Sequence, residues 1–129
     1  MRILLDSHVA LWLAASPRRL AEPALALVED ARHELLLSTA SAWEISIKHA
    51  AGKLALPAPP GDFLPELQRR LRLTLLPIEL SHAIRAGSLP MVHRDPFDRM
   101  LVAQAHSLAV PIMSADPKLA RYDVEIIAA

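Results

Sequence analysis

Two carboxylates at the ends of apolar, strand-like runs are the residues best placed for chemistry. Asp6 ends such a run near the start of the chain, and Asp116 ends another near its close. In an open α/β sheet, ligands bind beyond the carboxyl ends of the strands, so the two acids are expected at one shared site. Glu44 and Asp98 lie on segments with helical spacing that could flank this site. Four converging carboxylates need cations to stay ionised together, and the sequence therefore predicts a metal-dependent hydrolase.

Each of the four acids also has an ordinary structural explanation. Asp6 could cap the following helix, and Asp116 could initiate a turn. Glu44 could pair with Lys48 one helical turn later. Asp98 falls in the first turn of a predicted helix, where a negative charge interacts favourably with the helix dipole. No acid is decisive by itself, so the hypothesis depends on their joint arrangement.

The available ligand atoms favour a hard cation. The chain has no Cys, and its histidines form no pair at zinc-site spacing. Carboxylate oxygens then favour Mg²⁺, with Mn²⁺ as a substitute, over Zn²⁺. Each histidine is expected to be a surface or packing residue rather than a ligand. This expectation covers His8, His33, His49, His82, His93 and His106.

Several other chemistries lack the sequence motifs that they need. There is no GxGxxG or GxxxxGK[ST] motif, and with only three Gly residues a phosphate-cradling loop is not expected. A serine nucleophile would lack its GxSxG turn. Fourteen basic residues balance fourteen acidic ones, so net charge provides no general attraction to nucleic acid.

Alternating apolar runs and helical segments predict an α/β fold with a parallel sheet in one domain, residues 1–129. The apolar runs are at residues 2–5, 34–38, 73–77, 110–114 and 123–127. The helical segments cover about residues 8–15, 23–32, 40–51, 61–71, 79–86 and 96–107. No apolar stretch is long enough to predict a membrane span, and the absence of Cys fits a cytoplasmic protein.

Local signals predict the ends of the two helices that carry acids. Ser38 or Thr39 could cap the helix that bears Glu44, and Gly52 could close it. Asp95, directly before a proline, could cap the helix that bears Asp98.

Four segments of the chain resemble PIN-domain ribonucleases of the VapC toxin type, over nearly the whole length. They are LLDSHVALWL, LSTASAWEISIKHAAGKLAL, LPMVHRDPFDRMLVAQA and VPIMSADPKLARYDVEII. In that family the acids that match Asp6, Glu44, Asp98 and Asp116 surround divalent metal, and Asp95 is an additional acid. The resemblance implies a five-stranded parallel sheet in the order 3-2-1-4-5, flanked by helices. Asp6 and Asp116 would then face each other across the switch point.

Two serines stand where that family often has threonine. Ser7 follows the first acid, and Ser114 lies two residues before the last. A hydroxyl is kept at both positions, so Ser114 could still bind a ligating carboxylate.

The resemblance implies an Mg²⁺-dependent endoribonuclease that hydrolyses RNA with a metal-activated water. Asp6, Asp98 and Asp116 would hold the metal, and Glu44 would complete the ligand set or act as a base. It also implies a toxin with a cognate antitoxin, and homodimers are common in the family. Two alternatives stay open: a metal-dependent phosphatase or phosphoryl-transfer enzyme, and a catalytically silent PIN-like binding module. The haloacid-dehalogenase type of phosphatase needs a second Asp where this chain has His8.

Overall fold

The computed structural model describes residues 1–129 and contains one sheet of five parallel strands. The strands are β1 (Arg2–Leu5), β2 (Glu34–Ser38), β3 (Thr74–Leu76), β4 (Ile112–Ser114) and β5 (Ile126–Ala128). Their order across the sheet is β3-β2-β1-β4-β5, and every neighbouring pair is parallel. The predicted α/β class and the strand order 3-2-1-4-5 are confirmed.

Six helices connect the strands. They are α1 (Ser7–Ala15), α2 (Glu22–Glu29), α3 (Thr39–Ala50), α4 (Pro60–Leu71), α5 (Leu80–Ser88) and α6 (Pro96–Leu108). Short 3₁₀ segments follow α1, at Pro17–Arg19, and β4, at Pro117–Arg121. None of the helices is both long and apolar enough to cross a membrane.

Two apolar clusters fill the space on the two faces of the sheet. Successive residues of β1 point to opposite clusters: Ile3 and Leu5 belong to one, and Leu4 to the other. The first cluster includes Leu13 from α1, and the second includes Val102 from α6. A strand that is buried on both faces reads as a continuous apolar run, which is why the sequence predicted a parallel sheet.

Most helix ends lie where the local signals predict them. The Ser38 hydroxyl accepts a backbone N–H of the first turn of α3 at 3.1 Å, and Gly52 adopts a left-handed φ of 72° just beyond that helix. Helix α2 ends three residues earlier than predicted, at Glu29. The Asp30 carboxylate accepts the backbone N–H of Arg32 at 3.0 Å, and this local turn ends the helix.

The strand order brings the two strand-end acids to one rim. β1 lies beside β4, with Leu5 paired to Met113, and the backbone N–H of Asp6 donates to the Met113 carbonyl at 3.1 Å. Asp116 follows the carboxyl end of β4, two residues beyond Ser114. Helix α3 begins at the same rim, directly after β2, and carries Glu44.

Candidate metal centre

All four predicted acids line one open groove at the carboxyl ends of the strands, with a volume of about 350 Å³. The side chains that line it are Asp6, His8, Trp12, Glu44, Lys48, His93, Asp95, Asp98, Ala115 and Asp116. The four acids reach it from four different elements: the end of β1, helix α3, the first turn of α6 and the end of β4. The structure therefore brings together residues that are widely separated in the sequence.

Asp6 is buried and is held by two hydrogen bonds. Its Oδ1 accepts the backbone N–H of Val9 at 3.0 Å, so Asp6 does cap α1. Its Oδ2 accepts the hydroxyl of Ser114. The Ser114 oxygen in turn accepts the backbone N–H of Asp116 at 3.0 Å. The capping role and the site role are thus compatible, since a carboxylate has lone pairs left for a cation.

Glu44 is also buried, with only 4% of its surface exposed. The hydroxyl of Ser7 donates to its Oε1 at 2.5 Å, and Nζ of Lys48 donates to its Oε2 at 2.8 Å. The hydrogen bond to Glu44 raises the pKa of the Lys48 ammonium, which therefore stays charged. The predicted Glu44–Lys48 pair exists, but it lies in the groove and not on a solvated helix face.

Asp98 and Asp116 form a cluster with His93. Nε2 of His93 lies 2.8 Å from Oδ2 of Asp98 and 3.6 Å from Oδ2 of Asp116. One ligand atom from each of the three side chains lies within 4.8 Å of the others. Oδ1 of Asp116 accepts the backbone N–H of Lys118 at 2.9 Å and caps the 3₁₀ segment. Oδ2 of Asp116 is directed towards the cluster.

The electrostatics of the groove oppose ionisation of Asp98. Burial, followed by the nearby charge of Asp95, raises the pKa of Asp98 to about 6, although the hydrogen bond with His93 acts in the opposite direction. Glu44 raises it further. The ammonium of Lys48 is engaged by Glu44, so excess negative charge remains around Asp98. A divalent cation would remove this excess, and carboxylate oxygens with an imidazole nitrogen are suitable ligands for one.

Asp95 has a capping role. Its Oδ1 accepts the backbone N–H groups of Phe97 at 2.9 Å and of Asp98 at 3.3 Å, so it caps α6 as the sequence predicts. Its carboxylate also lines the groove. The geometry gives Asp95 a structural role and makes its charge part of the environment of Asp98.

Sequence reasoning missed His93. Its ring lies in the acidic cluster, contrary to the expectation that every histidine is a surface or packing residue. His93 precedes α6 in an irregular connection, and no periodicity relates it to Asp98. One feature of the sequence could have indicated its position. Because a helix is predicted to start at Asp95, the residues just before Asp95 are expected close to the first turn of that helix.

Comparisons with known proteins place the chain in one family. The family model described as "PIN domain" matches residues 3–125. Ribonuclease VapC22 of Mycobacterium tuberculosis (strain ATCC 25618 / H37Rv) is 32% identical over 118 residues, which are 91% of this chain and 88% of that protein. Ribonuclease VapC16 of the same strain is 41% identical over 73 residues, which are 55% of this chain and about half, 52%, of that protein.

Solved structures share the fold at low sequence identity. VapBC2 from Rickettsia felis, bound to a DNA fragment from its promoter, aligns with a TM-score of 0.73 and 12% identity, over 98% of each chain. VapBC-5 from Mycobacterium tuberculosis aligns with a TM-score of 0.65 and 21% identity, over 99% of this chain and 98% of that one. FitAcB from Neisseria gonorrhoeae has a TM-score of 0.62 and 17% identity, over 98% and 96% of the two chains.

Proposed function

The chain belongs to the PIN-domain family, and from this premise we propose that it is a divalent-metal-dependent endoribonuclease, the toxin of a toxin–antitoxin pair. The observation that carries the proposal is the convergence of Asp6, Glu44, Asp98 and Asp116 on one groove. The likeness to ribonuclease VapC22 over 91% of the chain supports RNA as the substrate. The cytoplasm, where RNA is plentiful, is the proposed place of action.

Asp6, Asp98 and Asp116 would hold the cation, Mg²⁺ or Mn²⁺. When bound, such an ion supplies Lewis-acid stabilisation of a phosphoryl oxygen and lowers the pKa of a water molecule. Ser114 fixes two of these acids relative to each other, because its hydroxyl contacts the Asp6 carboxylate and the Asp116 backbone. The protein thus presents its carboxylates in a fixed arrangement before substrate arrives.

Glu44 has a different environment from the proposed ligands. Lys48 compensates its charge and Ser7 donates to its second oxygen, so the carboxylate is fixed in direction within the groove. We assign Glu44 the role of orienting the attacking water and accepting its proton. Lys48 also places a positive charge on the lining of the groove.

The acidic groove by itself would repel RNA, and the chain has no net charge to attract it. Substrate binding is therefore expected to depend on the cation as strongly as cleavage does. RNA retained by the protein in EDTA would have to be held by residues outside the groove.

A cleavage experiment tests the proposal against its two alternatives. The purified chain is incubated with a mixed RNA pool in Mg²⁺, in Mn²⁺ and in EDTA, beside Asp6→Asn and the exposed control Asp123→Asn. We expect the unchanged chain and the control to cleave RNA in Mg²⁺ or Mn²⁺ but not in EDTA. Asp6→Asn should not cleave RNA in any of the three conditions. Release of inorganic phosphate without internal cleavage would indicate a phosphatase, and intact RNA in all conditions would indicate a silent binding module.

We propose a protein antitoxin as the partner because VapBC-5, a member of the VapBC family of toxin–antitoxin systems, and a toxin–antitoxin complex from Klebsiella pneumoniae share this fold. An apolar groove of about 910 Å³ adjoins the acidic groove, and His8 and Trp12 line both. A segment of the antitoxin that fills this groove could also cover the acids. Normal growth of cells that produce the chain alone, at levels that cleave RNA in extracts, would contradict a toxic role.

We also propose that the protein is a homodimer, and α5 supplies the surface. Leu80, Ala83, Ile84 and Gly87 form an apolar stripe at helical spacing, with Leu80 77% and Ile84 65% exposed. The stripe itself is uncharged, so a two-fold symmetric contact along it would bury apolar side chains without placing like charges opposite each other. Light scattering should give a dimer mass for the unchanged chain and a monomer mass for Ile84→Glu; a monomeric unchanged chain would contradict the proposal.

A further inference from the structure

Arg99 is a buried guanidinium group without a carboxylate partner. Only 8% of its surface is exposed, and none of the ion pairs of the structure includes it. Burial of an unpaired charge is costly unless hydrogen bonds replace the lost water. The acceptors that replace water here are backbone carbonyl groups.

These carbonyl groups belong to the last turn of α5 and to the connection from α5 to α6. Nη2 of Arg99 donates to the carbonyls of Ala86 at 2.9 Å and Leu89 at 3.0 Å. Nη1 donates to the carbonyls of Pro90 at 3.0 Å and His93 at 3.4 Å. A planar guanidinium with its donors in a fixed fork can hold several carbonyls at once, which a lysine ammonium cannot do with the same geometry.

The connection that Arg99 holds has little support of its own. Within residues 89–95 the one backbone hydrogen bond runs from Val92 to the Pro90 carbonyl at 2.9 Å. Tyr122 supplies the other restraint: its hydroxyl accepts the His93 N–H at 3.0 Å and faces the His93 carbonyl at 3.3 Å. The Tyr122 oxygen also lies 3.5 Å from Nη1 of Arg99. The backbone of His93 is thus fixed on both sides by the Arg99–Tyr122 pair.

The fixed backbone directs the His93 ring into the acidic cluster, where Nε2 lies 2.8 Å from Asp98 and 3.6 Å from Asp116. Arg99 directly follows Asp98 in α6, so one helical turn carries both a cluster acid and the group that places the imidazole beside it. We propose that Arg99 is a positioning residue that holds His93 as a nitrogen ligand of the metal site, an inference that rests on the metal-dependent function proposed above.

A nitrogen ligand changes which ion the site prefers. Mg²⁺ favours oxygen ligands, whereas Mn²⁺ and later transition metals accept imidazole. The site is therefore expected to bind Mn²⁺ more tightly, relative to Mg²⁺, than a site built from the carboxylates alone. Loss of His93 should therefore reduce the affinity for Mn²⁺ by a larger factor than it reduces the affinity for Mg²⁺.

The test is calorimetric titration of the full chain with Mn²⁺ and with Mg²⁺, without RNA. We expect His93→Ala and Arg99→Lys each to weaken Mn²⁺ binding by about 10-fold or more, with a smaller effect on Mg²⁺. The control is Arg94→Lys, the same substitution at an exposed arginine beside His93. It should bind both ions as the unchanged chain does.

A double variant shows whether Arg99 acts through His93. If it does, Arg99→Lys adds no further loss of Mn²⁺ affinity in the His93→Ala background. Equal losses in both backgrounds would overturn the positioning role, and unchanged Mn²⁺ affinity of His93→Ala would overturn the ligand role. Should Arg99→Lys not fold, Tyr122→Phe removes the hydroxyl on the other side of His93. It should also weaken Mn²⁺ binding, and its failure to do so would contradict the proposal.

The titrations contain no RNA, so their outcome is independent of the proposed activity. Selective Mn²⁺ binding by a chain that cleaves no RNA would contradict the nuclease and leave the role of Arg99 intact. Cleavage that is unchanged in His93→Ala, together with unchanged Mn²⁺ affinity, would contradict only the role of Arg99 and His93.

Discussion

The hydroxyl of Ser114 donates a hydrogen bond to the carboxylate of Asp6, a residue 108 positions away in the chain. The same oxygen accepts the backbone N–H of Asp116 at 3.0 Å. One buried side chain therefore sets the distance between the two acids that end β1 and β4. The adjacency of these two strands makes the contact possible.

Replacement of Ser114 should separate the effect of its hydroxyl from the effect of its size. Ser114→Ala leaves a buried carboxylate oxygen of Asp6 without its donor, which should cost roughly 1–3 kcal/mol of unfolding free energy in EDTA. Metal affinity should fall by about 10-fold because the two acids lose their common support. Ser114→Thr keeps the hydroxyl and should retain most of both properties.

Urea denaturation and Mn²⁺ titration measure the two effects of Ser114→Ala. Ser107→Ala, at an exposed position on α6, is the matched control and should change neither quantity. Unchanged metal affinity in Ser114→Ala would show that backbone geometry alone is enough to place Asp6 and Asp116.

The stability of the metal-free protein should depend on pH through Asp98. Its pKa in the folded protein is raised to about 6, mainly by burial and by the charge of Asp95, with Glu44 adding to the rise and His93 opposing it. Because this pKa is raised on folding, protonated Asp98 makes its whole contribution to stability at pH values below the pKa of the unfolded state. This stability is lost as the pH rises through the folded-state value of about 6.

Asp98→Asn removes this titration, so in EDTA it should be more stable than the unchanged chain at pH 7. The expected difference is roughly 1–2 kcal/mol after allowance for solvent screening. The difference should shrink as the pH falls from 7 to 4, whereas that for the exposed control Asp123→Asn, 3.7 Å from His106, should change far less. Denaturation curves at several pH values measure it, and a difference that grows towards acid would contradict the assigned environment of Asp98.

Apolar patterning in the sequence was sufficient for the α/β class and for the positions of Asp6 and Asp116, whereas the strand order was implied only by the family resemblance. Continuous apolar runs require burial on both faces, which gave the parallel sheet, and Asp6 and Asp116 follow from strand ends. The environment of Glu44 was not predictable, because Ser7 contacts it from another element. His93 was missed because an irregular connection has no period from which its direction can be read. That direction depends on the tertiary contacts of Arg99.

Replacement of Asp95 should mainly lower stability, whereas replacement of Asp98 should mainly lower RNA cleavage. Asp95 accepts two backbone N–H groups at the start of α6, so Asp95→Ala should cost roughly 1 kcal/mol of stability. RNA cleavage should fall less than in Asp98→Asn, which should lose cleavage although its metal-free stability at pH 7 rises. Denaturation in EDTA and a cleavage assay on both variants decide the matter. A destabilised but fully active Asp98→Asn would show that the two roles are reversed.

The Lys48–Glu44 pair should matter more for stability than an exposed ion pair does. Lys48 is 41% exposed at its side chain, but Glu44 is buried and has only Ser7 as its other donor. Lys48→Met removes the positive charge and leaves the carboxylate among other acids, which should lower the unfolding free energy by roughly 1–3 kcal/mol in EDTA. Glu44→Gln in the same background removes the uncompensated charge and should recover most of the loss. Lys53→Met, at an exposed position three residues beyond the end of α3, is the control and should be neutral. Denaturation curves of the unchanged chain, Lys48→Met, Glu44→Gln and the double variant complete the cycle. Simple additivity of the two substitutions would show that the pair contributes no coupling energy.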